Sequence, residues 1–307
     1  MPVRILNFDD SVTGQRRLLD TFNPSVTDLK KIGPECRLWA GSSAAKKIRA
    51  ALKPAEKGRI TFLGSGDFHH VSSLLIGQFE EPLSVIVFDH HPDWDIMPPR
   101  LGCGSWVTDI LKRKTIENVV LMGVSSHDIS GPSICTANLG SLGGDRLRIY
   151  PYEHGPTRVL FRRVPDNSSI EVMRGFPIST IYWHELKRED PGGLFLKVLQ
   201  GLKVKNVYVS IDKDCLKPAY SLTNWEPGML ELPGLLALLR LIKENCDIAG
   251  VDITGDYSAP EAKGRLKTII SRMDHPRDHS AKGKSPSEIN SVNQETNIRI
   301  LELLLHT

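Results

Sequence analysis

The sequence predicts a three-layer α/β/α sandwich with a central, mostly parallel sheet of eight strands. Short runs rich in β-branched residues alternate with amphipathic stretches along the 307 residues. Several runs, among them SVIVF and NVVLMGV, are continuously apolar, as strands are when a parallel sheet buries both of their faces. Strand and helix patterns that alternate about eight times are typical of a doubly wound domain, so we expect residues 1–307 to form a single domain.

Apolar segments predict the strands, and the amphipathic stretches between and after them predict the helices. Leu232–Glu244 is the clearest helix, because its leucines recur at helical spacing and Pro233 stands in its first turn. The predicted strands are Val3–Phe8, Ile60–Gly64, Ser84–Asp89, Asn118–Gly123, Leu147–Tyr150, Thr180–Trp183, Asn206–Asp212 and Ala249–Thr254. The predicted helices are Thr13–Thr21, Ala44–Leu52, Val71–Phe79, Ser105–Lys112, Pro191–Leu202, Leu232–Glu244, Ala259–Arg272 and Gln294–His306.

One segment differs from the rest in composition. Residues Asp274–Asn293 are polar, contain Pro, Gly and Ser, and show no apolar period. This composition predicts a mobile loop or linker before the C-terminal helix.

The overall composition excludes several functional classes. A formal net charge of +3, with scattered basic residues, indicates neither a nucleic-acid groove nor a membrane surface. No apolar run approaches the roughly 18 residues of a membrane span, and the N-terminus lacks the pattern of a signal peptide. The five cysteines form no Cys-x-x-Cys pair, and their odd number favours a reducing cytoplasm over a disulfide framework.

The segment VIVFDHHPDWD contains the most specific chemical pattern. Asp89, His91 and Asp93 follow an apolar strand at steps of two, which places them on one side of an extended chain. Asp95 continues the alternation as a further candidate. Buried together without a partner, two carboxylates would cost several kcal/mol, and a divalent cation between them removes that cost.

Two further segments place acids and imidazoles at strand ends. In VYVSIDKDCL, Asp212 and Asp214 end a strand two residues apart. In TFLGSGDFHH, a glycine-rich turn leads from a strand to Asp67, His69 and His70. Ligands of α/β sheets bind beyond the carboxyl ends of the strands, where all three segments lie.

Together the three segments predict a metal site. Taken alone, an Asp-x-Asp pair at a strand end is more often a turn or helix cap, and a His-His pair is usually on the surface. Mixed oxygen and nitrogen ligands favour hard or borderline divalent ions, for which manganese is a natural candidate. Because four carboxylates exceed what one ion needs, we expect two ions about 3.5–4 Å apart that share a water.

The three segments resemble the motifs of the arginase (ureohydrolase) superfamily, which includes agmatinase and formimidoylglutamase. That family carries Gly-Gly-Asp-His, Asp-Ala-His-x-Asp and Ser-x-Asp-x-Asp-x-x-Asp-Pro, and this chain has GSGDFHH, DHHPD and SIDKDCLKP in the same order. The resemblance implies an arginase-like fold and two manganese ions. An extra residue before the histidines leaves His69 and His70 as alternatives, of which we favour His70. The implied metal ligands are Asp89, His91, Asp93, Asp212, Asp214 and one of His69 or His70.

The resemblance also implies a reaction. A hydroxide that bridges the metal ions would attack a guanidinium or amidine-like carbon and expel an amine or urea. Asp93 would act as a catalytic residue that orients the bridging water and takes its proton. The substrate would be a small molecule. Because members of the family are often oligomers, the resemblance also implies a homo-oligomer.

The chain departs from the family pattern around the substrate. Cys103 stands where the family often has a proton-shuttling His, and it is either a catalytic substitute or simply a small residue. Gly255, with Asp256 beside it, stands where the family has a Glu that binds the guanidinium. Arginine is therefore not the expected substrate. Asp128 matches a family acid near the substrate's amino group, and the further substrate-binding candidates are His127, His184 and Asp256.

Three functions are compatible with these residues. The first is a two-metal hydrolase that cleaves a C–N bond in a small guanidino, amidino or amide compound. The second is a deacetylase-like amidohydrolase with a single zinc held by Asp, His and Asp. The third is a metal-binding protein that has lost catalysis, an alternative motivated by Cys103 and Gly255.

Overall fold

A central parallel sheet organises the computed structural model of the protein, which describes residues 1–52, 54–98, 101–188, 190–275 and 279–306, without the side chains of residues 266 and 272–274. All eight strands of this sheet run parallel, in the order β2-β1-β3-β11-β10-β4-β5-β6. The predicted three-layer α/β fold is thus confirmed. The strands are β1 Val3–Asn7, β2 Ser25–Asp28, β3 Arg59–Gly64, β4 Leu83–Phe88, β5 Ile116–Met122, β6 Leu147–Tyr150, β10 Asn206–Asp212 and β11 Asp247–Thr254.

Helices cover both faces of the sheet and enclose two apolar layers. On β4, Val85 and Val87 belong to one layer and Ile86 and Phe88 to the other, because successive side chains of a strand point to opposite faces. The first layer includes residues of α3, α4 and α5, and the second includes residues of α1, α6, α7 and α9. The helices are α1 Arg16–Phe22, α2 Gly33–Cys36, α3 Ser42–Ala51, α4 Val71–Ile76, α5 Trp106–Ile110, α6 Pro191–Gln200, α7 Leu232–Asn245, α8 Arg265–Asp274 and α9 Pro286–Leu305.

A second, smaller sheet corrects the predicted strand membership. The segment predicted as Thr180–Trp183 is the middle strand β9 (Ile178–Trp183) of an antiparallel sheet with β7 (Thr157–Leu160) and β8 (Ile170–Met173). Its inward residues Ile181 and Trp183 join the first apolar layer, while Tyr182 is exposed. The eighth strand of the main sheet is instead β2, whose sequence SVTD is too polar for an apolar-run prediction.

The C-terminal helix starts earlier than predicted. α9 begins at Pro286, eight residues before the predicted Gln294, so the last eight residues of the predicted loop are helical. The Ser285 side chain accepts a hydrogen bond from the backbone N–H of Glu288 and caps the helix. Residues 276–278 of the predicted loop lie outside the described residues. None of the described helices has the length and apolar content to cross a bilayer.

Candidate metal centre and its cavity

The predicted metal ligands converge because their strands lie close together in the sheet. β4 and β10 are neighbours, and β3 is separated from β10 only by β11. All four strands are parallel, so their carboxyl ends meet at one edge. The chain segments that follow β3, β4 and β10 carry His69, Asp89 to Asp93, and Asp212 to Asp214 to this edge.

The first group of side chains surrounds the His69 imidazole. Its Nδ1 lies 3.1 Å from Asp89 Oδ2, 3.3 Å from Asp93 Oδ2 and 3.5 Å from Asp212 Oδ2. The side chains are buried, with exposed fractions between 1% for Asp89 and 7% for Asp93. Three carboxylates therefore meet one ring nitrogen in a site that is almost closed to solvent.

The second group adjoins the first and shares Asp89 with it. His91 Nδ1 lies 3.0 Å from Asp214 Oδ2 and 3.8 Å from Asp89 Oδ1. Among the described residues, His69, Asp89 and Asp212 can hold one cation, and Asp89, His91 and Asp214 can hold another. The common carboxylate places the two possible cation positions side by side, as in a dinuclear centre.

Hydrogen bonds on the far side of His69 determine which nitrogen faces the acids. Its Nε2 lies 2.8 Å from Ser210 Oγ, and the Ser210 hydroxyl donates to Asp252 Oδ1 at 2.7 Å. Since the hydroxyl has only one hydrogen, Nε2 must be the donor to Ser210. The Nδ1 lone pair of neutral His69 then faces three carboxylates. This arrangement suits a cation, because metal-binding histidines donate their other N–H to such a partner.

Backbone amides hold the carboxylates in place. The His91 N–H donates to Asp89 Oδ1 at 2.7 Å, and the Asp214 N–H donates to Asp212 Oδ1 at 3.0 Å. The His90 N–H donates to Asp214 Oδ1 at 3.1 Å. One oxygen of each of these acids is thus engaged by the chain, and the other faces an imidazole of the site.

Asp93 reaches the site through an unusual backbone conformation. Its φ of +47° lies in the left-handed region, which non-glycine residues rarely adopt. The indole N–H of Trp106 donates to Asp93 Oδ2 at 2.6 Å, and the Trp106 ring centroid lies 4.7 Å from that of His69. Trp106 therefore orients both side chains from its position in α5.

Titration of the site is strongly perturbed. Burial, together with the charges of Asp93 and Asp214, raises the pKa of Asp89 well above its ordinary value. Burial and the Asp214 carboxylate raise the pKa of Asp212 to about 8. Although burial alone would lower it, the Asp89 and Asp93 carboxylates raise the pKa of His69 well above 6.5. Without a cation, these groups hold protons that a metal would displace.

His70, which we favoured from the sequence, lies outside the cluster. Its side chain is fully buried, and it belongs to none of the candidate cation groups formed by the described residues. Burial lowers the pKa of His70 to about 3, so its ring is neutral. The 3₁₀ turn Gly66–Phe68, which precedes the two histidines, brings His69 to the acids instead. The geometry therefore favours His69 over His70, which we had preferred, as the candidate ligand.

The chain after β11 packs closely against Asp212 through a glycine and provides no side chain to the site. Gly255 has φ +86°, and a Cβ at this position would lie 2.4 Å from Asp212 Oδ1 and 2.6 Å from the Lys213 nitrogen. The next residue, Asp256, pairs with Lys213 Nζ at 2.9 Å and accepts from Gln15 Nε2 at 2.6 Å. Asp256, which we predicted to bind substrate, thus has its carboxylate engaged in a buried ion pair and is not among the cavity residues, which disfavours that role.

The candidate metal ligands line a cavity of about 750 Å³. Of the other predicted site residues, Cys103 and Asp128 line this cavity, and so does Asp95. The predicted substrate contacts His127 and His184 are not among its lining residues. His127 is exposed, and His184 follows β9 of the small sheet, where its backbone N–H donates to Ser169.

Two cavity residues next to His91 were not predicted from the sequence. Trp225 and Glu226 lie in the loop between β10 and α7, and both line the cavity. The Trp225 indole donates to Asp67 Oδ1 at 3.0 Å, and Glu226 Oε2 lies 3.7 Å from His91 Nε2. Their segment, TNWEPG, has no period or strand end that indicates a site. The only signal was a Trp-Glu pair in a loop shortly after an Asp-x-Asp motif.

The fold is similar to the folds of solved arginase and formimidoylglutamase structures. Arginase from Bacillus subtilis aligns over 100% of this chain and 99% of its own, with a TM-score of 0.57 and 14% identity. Formimidoylglutamase from Bacillus subtilis covers 97% of this chain and 87% of its own, with a TM-score of 0.52 and 13% identity. Arginase from Bacillus caldovelox covers 92% and 99%, with a TM-score of 0.52 and 15% identity. The chain has the arginase fold.

Sequence comparison gives a match over part of the chain. An uncharacterized protein of Thermotoga maritima is 28% identical over 205 residues, which are 67% of this chain and 60% of that protein. The match thus spans less than two-thirds of the relative's length. No sequence profile of a protein family matches the chain.

Proposed function

We propose that the protein is a hydrolase of the arginase superfamily that uses two divalent cations to cleave a C–N bond in a small guanidino, amidino or amide substrate. The proposal depends on one observation above all, the two ligand groups that share Asp89 at the wall of a cavity of substrate size. Cavities of this volume commonly hold small-molecule ligands. The arginase fold supports the same reaction class.

Six side chains would hold the cations. His69, Asp89, Asp93 and Asp212 surround one position, and His91, Asp89 and Asp214 surround the other. Their nitrogen and oxygen donors suit manganese. Two divalent ions bound there would lower the pKa of a shared water and supply a nucleophile near neutral pH.

The chain's own residues would then handle the proton and the substrate. Asp93 is our candidate for the group that takes the proton from the nucleophile, because Trp106 holds its carboxylate at the cluster. Asp128 lines the cavity and is the candidate for binding a distant amino group of the substrate. Cys103 also lines the cavity, and it is the candidate for proton transfer at the position of the family's His.

A single-zinc amidohydrolase is less well supported. One zinc held by Asp89, His91 and Asp214 would leave Asp93 and Asp212 buried beside His69 without a compensating cation. Burial of uncompensated carboxylates is unfavourable by several kcal/mol. The shared Asp89 favours two ions for the same reason.

Metal analysis joined to a product screen tests the proposal. We expect about two ions per chain after loading with Mn²⁺, and release of urea or ammonia from at least one compound in a panel of guanidines, amidines and amides. Two bound ions with no product from any compound would favour the inactive metal-binding alternative. One tightly bound zinc would favour the deacetylase-like alternative.

The Asp212→Ala variant tests the ligand assignment directly. Because Asp212 lies 3.5 Å from His69 across the first cation position, its loss should abolish the binding of at least one ion. Asp247→Ala is the matched control, because Asp247 is exposed at the opposite end of a neighbouring strand. Two ions in both variants would refute the assignment. We also expect self-association and a cytoplasmic location, and sedimentation of the purified protein tests the former.

A further inference from the structure

The cavity has an excess of negative charge beyond the metal ligands. Asp89, Asp93, Asp212 and Asp214 carry four carboxylates, whose charge two divalent cations would balance. The remaining acidic groups at the wall are Asp95, Asp128 and Glu226, and none of the described lining residues is a lysine or arginine. A wall of this charge attracts a cationic ligand and repels one with a carboxylate or phosphate.

The end of β11 cannot provide the carboxylate that would bind such a cation. A side chain at Gly255 would collide with Asp212 and with the backbone of Lys213. Asp256 is held by Lys213, Gln15 and Asn297 behind the site. Recognition of a cationic group therefore has to come from another element of the cavity.

Glu226 provides a carboxylate next to the metal ligands. Its Oε2 lies 3.7 Å from His91 Nε2, and 51% of its side chain is exposed, so a ligand can reach it. The distance exceeds that of a hydrogen bond. A carboxylate in such a position can bind an amidinium or guanidinium group through two parallel hydrogen bonds.

The loop that carries Glu226 is firmly held. Its neighbour Trp225 donates to Asp67, and its ring lies 5.0 Å from the ring of His275 and 5.6 Å from that of His91. The backbone N–H of Trp225 donates to Thr223 Oγ1 at 3.1 Å, and the Gly228 N–H donates to the Asp214 carbonyl. The backbone on both sides of Glu226 is thus held next to Asp214 before a ligand binds, which lowers the entropic cost of recognition.

We propose that Glu226 is the specificity-determining residue that binds the cationic amidinium or guanidinium group of the substrate, and that this substrate carries no carboxylate or phosphate. The inference rests on the proposed function for the identity of the reacting group. It assigns to the β10–α7 loop the recognition that the end of β11 does not provide.

A rival role for Glu226 is a part in metal binding. His90, His91 and Glu226 lie close enough to hold a cation. Such an ion would be a third cation, bound by His91 Nε2 while its Nδ1 faces Asp214 in the dinuclear site. Metal counting separates the two roles, because only a metal-binding Glu226 would make Glu226→Gln lose an ion.

Calorimetry on the manganese-loaded protein tests the proposal with two probes that differ only at one end. The probes are n-butylguanidine and 4-guanidinobutyrate. We expect the first to bind at least about tenfold more tightly than the second, since the carboxylate meets an acidic wall. Glu226→Gln should weaken n-butylguanidine binding by about tenfold or more, and Glu226→Asp should retain part of the affinity.

The controls distinguish recognition from metal binding and from turnover. Glu231→Gln, five residues further along and exposed in an ion pair with Lys217, should bind the probe as the parent protein does. Unchanged binding in Glu226→Gln, loss of an ion from it, or tighter binding of 4-guanidinobutyrate would each overturn the proposal. Glu226-dependent binding without release of urea or ammonia from any compound of the panel would refute the proposed hydrolysis and leave the recognition role standing.

Discussion

At the scale of single residues, the conformation of Gly255 limits what can stand beside Asp212. Its φ of +86° is unfavourable for any residue with a side chain, and a Cβ would lie 2.4 Å from Asp212 Oδ1. The carboxylate is itself held by the Asp214 amide, so it has little room to yield. Gly255 therefore belongs to the structure of the candidate metal site although it offers no side-chain ligand atom.

The Gly255→Ala substitution should damage the site and the fold together. We expect a loss of about 1–3 kcal/mol in the free energy of unfolding and weaker metal binding, because Asp212 or the Lys213 backbone must shift. Thermal unfolding and metal titration measure the two effects. Gly234→Ala is the control, since nothing lies within 4 Å of a Cβ there, and it should be neutral or stabilising. Equal behaviour of both variants would contradict this account.

Metal binding should release protons and weaken as the pH falls. Burial, and to a lesser extent the charge of Asp214, raises the pKa of Asp212 to about 8. At neutral pH a cation therefore has to displace the proton of Asp212. The raised pKa of His69 acts in the same direction. We expect the apparent affinity for Mn²⁺ to rise between pH 6.5 and pH 8. Calorimetry in buffers of different ionisation enthalpy counts the protons, and binding without proton release would contradict the assignment.

The choice between His69 and His70 shows what residue patterns leave open. Spacing at steps of two predicted that Asp89, His91, Asp212 and Asp214 would meet, and they do lie together. The extended chain assumed for that prediction ends with the strands, since Asp214 lies in the 3₁₀ turn Lys213–Cys215. The two histidines follow a 3₁₀ turn, and their spacing in the sequence does not determine which of them points toward the acids. Glu226 was missed for a related reason, since the backbone contacts of its loop alone place it at the cavity.

At the scale of elements, α8 closes one side of the cavity. Its Ile270 is a lining residue, and Lys267 Nζ donates to the Glu35 and Trp39 carbonyls, each at 2.6 Å. The amine also lies 4.4 Å from the ring centroid of Trp39, another lining residue. The residue that follows the helix, His275, lies 2.8 Å from Asp67 Oδ1. Contacts near both ends thus attach α8 to the walls of the site.

Lys267→Met should loosen α8 without unfolding the sheet. The variant loses two charge-assisted hydrogen bonds and the contact with Trp39, so backbone amides of residues 265–275 should exchange with solvent at least about tenfold faster. Hydrogen exchange followed by mass spectrometry measures this, with β4 and β10 as internal references. Lys263→Met is the control, because Lys263 is exposed just before the helix. Unchanged exchange in α8 would show that other contacts hold it.

The helix α9 was predicted too short because polar side chains do part of its packing. Asn293 is buried and exchanges two hydrogen bonds with the Leu222 backbone, and Asn297 donates to Gln15 Oε1 at 2.9 Å. These residues interrupt the apolar period that a helix prediction requires. The cap Ser285 with Glu288 three residues later was the available signal.

The strand β9 was assigned to the wrong sheet. Its residues alternate between buried and exposed, as in a sheet with only one buried face. A prediction based on apolar runs does not distinguish such a strand from a strand of the central sheet.

At the scale of the whole molecule, stability and cation binding should be linked through pH. In the metal-free protein the folded-state pKa of Asp212 is about 8, far above its ordinary value of 3.8. The folded state therefore holds a proton that the unfolded chain has lost, and stability falls as the pH rises through 8. His69 and His91, whose pKa values the acids of the site raise against the effect of burial, add to this fall.

The unfolding temperature of the metal-free protein should consequently decrease from pH 6.5 to pH 8. Saturating Mn²⁺ should reverse this trend and raise the unfolding temperature at pH 8 by about 5–10 °C. Scanning calorimetry with and without a chelator measures both effects. The Asp212→Asn variant is the control, because it removes one of the titrating groups and should make the pH dependence less steep. A metal-free protein that gains stability over this interval would contradict the assigned protonation states.

The order of strands in the sheet has a consequence for how the protein is made. β10 and β11 come from residues after 205, yet they lie between β3 and β4, which come from residues before 89. During translation, His69 and Asp89 are therefore synthesised long before β10 and β11, the two strands that must insert between β3 and β4. Any unfinished chain that stops short of β10 lacks Asp212 and Asp214, and with them the centre. The proposed capacity to hold metal would thus arise late in synthesis, when the middle of the sheet is filled.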